Sequence, residues 1–332
     1  MSKLVTIFGG SGFVGRHIAR RLAKAGWRIR VAVRKPNDAG FVRPYGVVGQ
    51  VEPVFCNIRD DDSVRAVMRG ADVVVNCVGV LDERGKNTFQ AVQSDGAERI
   101  ARIAAELGVS RMVQISAIGA DPASDSVYAR TKGEGEAAVR RHMADAVILR
   151  PSIVFGPGDS FFNRFAGMPG PVVPLVGPDT KFQPVYVEDV AEAAEQAVLG
   201  KAPAGTYELG GPDVDTFREL MEFMLTVIQR RRWIFAMPFW MARLAAGVFS
   251  VLGKVTFGMV KGPITGDQIR QLRRDNVVSE GAQGFAELGI HPAAMEAILP
   301  EYLWRFRPSG QYSAVKASAQ NLKGGSDRAG FS

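Results

Sequence analysis

Cysteine and histidine are scarce in this chain, and each shortage excludes some chemistry. Cys56 and Cys77 are its only cysteines, each inside an apolar, strand-like run. They form neither a disulfide framework nor a metal-ligand spacing, so no metal is expected, and this usage suits a reducing compartment. His17 lies on a helix, His142 at a helix end and His291 before a proline, and each reads as structural or surface rather than catalytic. No uncharged apolar run reaches the roughly 18 residues of a membrane-spanning helix. The most apolar stretch, Trp233–Val260, is broken by Pro238, Arg243 and Lys254 and reads as an interfacial or partner-packing helix. No secretory or transit segment is expected ahead of the fold, whose first strand starts at Lys3 or Leu4. That favours a bacterial cytoplasmic protein, or an organellar one numbered after processing. Helix-turn-helix spacing and interleaved aromatic and basic residues are missing too, so nucleic acid is not an expected partner.

What is present is an ordinary globular composition, 46% hydrophobic and 23% charged over 332 residues, enough for one large α/β unit or a nucleotide domain with a smaller lobe. The net charge of +7 is unevenly placed. Between Arg230 and Arg274 nine basic residues stand against one acid, Asp267, which gives that segment +8 and leaves the rest nearly neutral. Residues 230–274 therefore point to an anionic partner, either lipid headgroups or an acidic protein surface.

Strands and helices alternate through the first half. Strands are predicted at Leu4–Phe8, Arg28–Val33, Val51–Cys56, Val73–Val78, Met112–Ile115 and Ala146–Leu149. Helices are predicted at Gly12–Ala25, Asp61–Met68, Thr88–Leu107 and Val127–His142. The strands are short, Val/Ile-rich and do not alternate with polar residues, as when helices cover both faces of a sheet. This order predicts a doubly wound parallel Rossmann sheet over residues 1–150. Gly156 to Pro184 reads as loops crossing a cleft. A helix at Asp189–Leu199 and a strand at Thr206–Leu209 suggest that residues 181–210 return to the sheet. Residues 151–180 and 211–308 are assigned to a smaller, mostly helical C-terminal lobe that includes a helix at Thr216–Gln229. Residues 309–332, rich in Ser, Gly, Ala and Lys, are expected to be a flexible tail.

The sharpest motif is Gly9-Gly10-Ser11-Gly12-Phe13-Val14-Gly15, directly after one strand and before one helix. Glycines in this G-x-x-G-x-x-G spacing allow a tight turn, close approach of a pyrophosphate and close helix–strand packing, while the helix N-terminus offers free N–H groups. A glycine turn alone is often only a turn; here strand, spacing and helix coincide. At the end of the second strand, where an acid would take the ribose 2′-hydroxyl of NAD, stand Arg34 and Lys35. Cations there suit a 2′-phosphate, so NADP(H) is preferred over NAD(H); the alternative is that both are merely solvated. Tyr128 and Lys132 share a helical face at i, i+4. An ammonium beside a phenol lowers its pKa from ~10, and Ser116, at the end of the preceding strand, is placed to share a proton network with them. The spacing itself is common; its position in the fold is what counts. Asn76-Cys77-Val78-Gly79 supplies a further loop over the cofactor. Phe161, Phe162 and Phe165 read as core of the second lobe.

Taken together, the glycine turn, Asn76–Gly79, Ser116, Tyr128/Lys132 and the run Leu149 to Gly158 resemble the extended short-chain dehydrogenase/reductase superfamily. Lys181 to Val190, Arg43-Pro44 through Gly49-Gln50, and Glu287-Leu288-Gly289-Ile290 narrow the resemblance to its atypical branch, the nucleotide-binding accessory subunit of respiratory complex I. The likeness covers roughly residues 3 to 308. It implies that Gly9, Ser11, Gly12, Phe13 and Val14, with Gly15 closing the turn, wrap the pyrophosphate, and that Arg34 and Lys35 face the 2′-phosphate. It further implies Asn57 and Ile58 by the adenine, Val78 and Gly79 by the adenine ribose and pyrophosphate, Tyr128 and Lys132 at the nicotinamide ribose, and Pro151 and Ile153 near the nicotinamide. In that branch NADPH is structural. The implied role is a peripheral subunit near the junction of the peripheral and membrane arms, on the cytoplasmic face of a bacterial inner membrane or the matrix face in an organelle, partnered by other complex I subunits. Ser116, Tyr128 and Lys132 keep open an alternative: an NADPH-dependent reductase or epimerase acting on a lipophilic or quinone-like substrate. A redox-sensing regulator is a third, weaker reading.

Overall fold

The computed structural model describes residues 3–83, 85–244, 246–247, 265–308 and 310. Its centre is a seven-stranded sheet in the order Gly205–Leu209, β6 (Val147–Pro151), β5 (Arg111–Ile115), β4 (Val73–Asn76), β1 (Leu4–Phe8), β2 (Arg28–Val33), β3 (Val51–Phe55). Every pairing in it is parallel. All five β1 residues and all four of β4 are buried, which is why these strands read as unbroken apolar runs. Alternation along them feeds two cores. Val5, Ile7, Val73 and Val75 join Ile18 and Leu22 of α1 (Phe13–Lys24) and the Ala-rich face of α6 (Val187–Leu199). Phe8 and Val74 point the other way, onto Val64 and Met68 of α2 (Asp61–Met68) and Ile100 and Ile103 of α3 (Asp95–Glu106). The fold is the expected doubly wound parallel sheet. Its strand order reverses between β1 and β4, opening a crevice at their carboxyl ends.

A second, smaller core gathers Phe155, Phe162, Val173, Leu175, Met221, Leu299 and Leu303. Phe161 stacks on Phe217 at 5.7 Å between ring centroids and meets Phe162 and Phe165 edge-on, so the three phenylalanines are core residues here. α5 (Phe162–Ala166), α7 (Phe217–Val227) and the helix Met295–Leu303 build this lobe around short strands.

Several details differ from the sequence reading. A 3₁₀ helix, Pro36–Tyr45, follows β2 where no element was expected. The expected single helix over Thr88–Leu107 begins as a π-helical turn, Gln90–Ser94, before α3. Gly156 to Pro184 is not loop throughout, since it contains α5 and the strand Val172–Val176. Trp233–Met237, expected to be helical, is a strand paired in parallel with Val172–Val176. Pro238 separates it from helical residues 239–244, because proline supplies no N–H to continue a ladder. Past residue 244 only 246 and 247 of that stretch are described; Lys254 lies outside the described residues, as do the neighbouring Lys261 and the tail apart from Gly310.

Candidate functional site

The glycine turn forms a cradle whose shape depends on having no side chains. Gly9 sits at φ +73°, and a Cβ there would lie 3.2 Å from the backbone of Cys77 and Val78, so β1 and β4 meet at the mouth of the crevice. A Cβ on Gly15 would lie 2.5 Å from the Gly9 carbonyl oxygen, so only glycine lets α1 press onto the turn. Gly12 caps α1 without any side-chain hydrogen bond, which leaves first-turn amides to an outside acceptor. Ser11, Phe13 and Val14 are half-buried around it.

The remaining candidates follow the carboxyl edge of the sheet. Arg34 and Lys35 leave β2 exposed; Lys35 stands 3.8 Å from Asp38, and Arg34 makes no hydrogen bond or ion pair among the described residues. Asn57 follows β3, its amide bonded to Ser63 Oγ at 3.0 Å and its side-chain oxygen accepting from the Arg59 amide at 3.2 Å. Ile58 packs on the sheet-face core under α2 and α3, where a Cβ on Gly96 would touch it at 3.0 Å. Val78 is held by the Asn76 side chain at 3.0 Å, and a Cβ on Gly79 would lie 3.4 Å from Lys132 Nζ. Pro151 ends β6, its carbonyl accepting from the Ile118 amide at 3.1 Å. The Ile153 carbonyl accepts from Val185 at 2.9 Å.

Tyr128 and Lys132 lie on α4 (Val127–His142). Lys132 is buried and donates to the Ile115 carbonyl at 3.3 Å. Burial pulls its ammonium down to about 8, against the opposing pull of Glu136 and Cys77. The Tyr128 ring is half-buried, with Phe89 edge-on at 5.8 Å. Its phenol is not lowered as the spacing suggested; burial pushes it up to about 12. The expected Ser116–Tyr128 network does not form either, because Ser116 Oγ is buried without a hydrogen-bond partner. Within the chain alone the group is a neutral phenol and a buried ammonium on α4 and an orphaned hydroxyl just past β5. An unpaired buried hydroxyl is costly, and together with the glycine cradle and the open α1 terminus it fits a polar ligand with an anionic centre and ribose-like hydroxyls.

Of the histidines, His17 is buried with Nδ1 against Glu188, His142 stands 3.6 Å from Glu98, and His291 is exposed. Among the described residues no cluster could hold a metal ion. Some residues of the site carried no sequence signal. Asp267 and Asn276 reach it from the second lobe, and Glu136, one helical turn past Lys132, was passed over although its i, i+4 spacing could have found it.

The basic segment is less free than its count implies. Arg230 and Arg232 bond the carbonyls of Phe306 and Phe165, Arg270 pairs with Asp267, Arg274 pairs with Asp125, and Arg273 covers the Phe239 ring. Beside them Trp233, Trp240, Leu244 and Phe235 are exposed, at 84%, 67%, 65% and 47%. No helix among the described residues is long and apolar enough to cross a membrane.

A parallel Rossmann sheet with this cradle at its switch point defines a class, and the sequence matches it: the chain belongs to the NAD dependent epimerase/dehydratase family, over residues 5–210. Within that class it is 37% identical over 317 residues, 92% of this chain and 79% of the relative, to the mitochondrial NADH dehydrogenase [ubiquinone] 1 alpha subcomplex subunit 9 of Arabidopsis thaliana. It is 32% identical over 242 residues, 71% of this chain and 74% of the relative, to the ceramide reductase of Caulobacter vibrioides. The UDP-glucose 4-epimerase of Thermus thermophilus, solved in complex with NAD, shares the fold at a TM-score of 0.66 and 19% identity, covering 92% of this chain and 99% of that one.

Proposed function

We infer that the chain is an accessory subunit of a complex I-type NADH:quinone oxidoreductase that holds NADPH as a structural fastener and has no turnover of its own. The observation that carries this reading is the extent of the likeness to the plant complex I subunit. It covers 92% of the chain, well beyond residue 210 where the family match ends, and so takes in the second lobe. Arg34, free at the end of β2, and Lys35 support a 2′-phosphate and therefore NADPH. Gly9, Ser11, Gly12, Phe13, Val14 and Gly15 would take the pyrophosphate, Asn57 and Ile58 the adenine end, and Val78, Gly79, Tyr128 and Lys132 the riboses, with Pro151 and Ile153 at the nicotinamide. The chain would be peripheral, near the arm junction on the cytoplasmic or matrix face. The exposed Trp233, Trp240 and Leu244, with Arg231 and Arg243, would meet anionic lipid or an acidic subunit surface.

The likeness to a ceramide reductase favours one alternative, an NADPH-dependent reductase of a lipophilic carbonyl. There a bound NADPH would supply hydride, with Lys132 holding its ribose, Tyr128 placed to donate a proton to the carbonyl oxygen and Ser116 to orient that oxygen. The test is a single-turnover assay on chain purified with its nucleotide, using ketone-bearing sphingoid lipids and short-chain quinones. NADPH absorbance that stays constant supports the accessory reading. Oxidation that is lost in a folded Tyr128→Phe variant overturns it in favour of the reductase.

A further inference from the structure

Helix α4 carries both Tyr128 and Lys132, and its first turn is closed only in part by its own loop. The N-cap Ser126 accepts from the Ala129 amide at 3.3 Å. The orphan amides of Val127 and Tyr128 are taken by Asp267, at 2.8 Å to Oδ1 and 3.2 Å to Oδ2, and Ser126 Oγ donates to Oδ2 at 2.9 Å. Asp267 comes from the short helix Gly266–Gln271 of the second lobe and is the only acid between Arg230 and Arg274. Burial pushes its carboxyl up, but the Val127 amide, the Ser126 hydroxyl and the Tyr128 amide outweigh that and hold it below the usual range. A fixed negative charge at a helix N-terminus is favourable in itself.

The same short helix is anchored to the lobe's outer face. Ile269 is buried in a small core with Val176, Ala242 and Ala246, on the segment that presents Trp240 and Leu244 outward. A few residues further on, Asn276 makes a second contact with the cleft. Ser152 Oγ, between Pro151 and Ile153, lies 2.7 Å from Asn276 Oδ1 and 3.0 Å from its carbonyl oxygen. One continuous set of contacts thus runs from the exposed aromatic face through Ile269 to Asp267 and the start of α4.

We propose that Asp267 is a positioning residue that couples the exposed aromatic and basic face of the second lobe to the cleft, setting how tightly α4 holds the dinucleotide. The proposal rests on the reading that the cleft binds NADPH; it does not depend on whether the chain turns that nucleotide over. By linkage, an acidic subunit surface seated on that face would shift nucleotide affinity, and bound nucleotide would shift the affinity for that surface by the same factor. The test compares the full chain with Asp267→Ala and Asp267→Asn, measuring NADPH affinity and amide hydrogen exchange. In the wild type, NADPH slows exchange across residues 265–272 as well as at Val127 and Tyr128. Asp267→Ala weakens NADPH binding by about tenfold or more and abolishes the protection at 265–272. Asp267→Asn, which keeps one acceptor oxygen for the helix amides, recovers part of both effects and serves as the readout if the alanine variant does not fold. Binding within about twofold of wild type in a folded variant overturns the proposal. So does weakened binding with protection at 265–272 intact, because Asp267 is then only a local cap. A wild-type chain that binds no dinucleotide sinks the reading of the cleft, and this proposal with it.

Discussion

Lys132 is held under the cleft by the Ile115 carbonyl and faces the backbone at Gly79. Its ammonium is pulled down to about 8, so the charge proposed to steady a ribose is lost as pH rises through that value. NADPH affinity is therefore expected to fall severalfold between pH 7 and pH 9, and titration with Lys132→Met should give weaker, pH-flat binding. Stability moves the other way. The unfolded lysine takes its proton more readily than the buried one, so folding of the nucleotide-free chain should strengthen as pH rises from about 8 toward the unfolded value of roughly 10.4. Arg34 makes the second residue-scale prediction. Truncation to alanine should weaken NADPH by about tenfold and leave NADH nearly unchanged, the loss of one charge-assisted contact. Equal losses for both nucleotides, read by fluorescence titration, would remove Arg34 from the 2′-phosphate. Local spacing made Arg34, Lys132 and the glycines legible in the sequence. The Tyr128 and Ser116 environments were not, because burial and missing partners are properties of the assembled cleft.

Element α4 is fastened at both ends of its functional turn. Beyond Lys132, Glu136 is buried and takes both arms of Arg150, at 2.9 and 2.6 Å, and Arg150 reaches the buried Glu208 at 3.4 Å. Glu208 in turn accepts from the Ser279 amide at 2.8 Å, so the pairing joins α4, β6, the edge strand and the C-terminal segment. Arg150→Leu leaves two buried carboxylates without their cation and should cost about 3–5 kcal/mol, seen as a lower urea midpoint at pH 7. A change below about 1 kcal/mol would mean the carboxylates find water or each other's protons instead. The units β1–α1, β3–α2 and β5–α4 were legible because each is built from near neighbours and bounded by glycine or a strong apolar period, whereas the 3₁₀ helix Pro36–Tyr45 after β2 carried no such period. Trp233–Met237 misled the sequence reading because its pairing partner, Val172–Val176, lies some sixty positions upstream, and an apolar run carries no sign of which ladder it will join.

At the scale of the whole molecule, the sheet and the second lobe meet at the cleft proposed to hold the nucleotide. The lobe's Asp267 and Asn276 touch the cleft, and its exposed aromatic face is turned to the outside. The parallel sheet and its switch point were evident from the order of elements, whereas the docking of the lobe was not, since it depends on single polar residues more than a hundred positions apart. The proposed fastener role would tie these features together: a nucleotide bound to the folded chain would stabilise it by mass action, and a docked subunit would gain from that without turnover. The central claim is best tested by isolating the chain gently from native membranes, then identifying the proteins and the nucleotide that accompany it. The account predicts that complex I subunits co-isolate through moderate salt and that about one unoxidised NADPH travels with each chain. Recovery as a free soluble monomer whose nucleotide exchanges during turnover of a lipophilic substrate would contradict it.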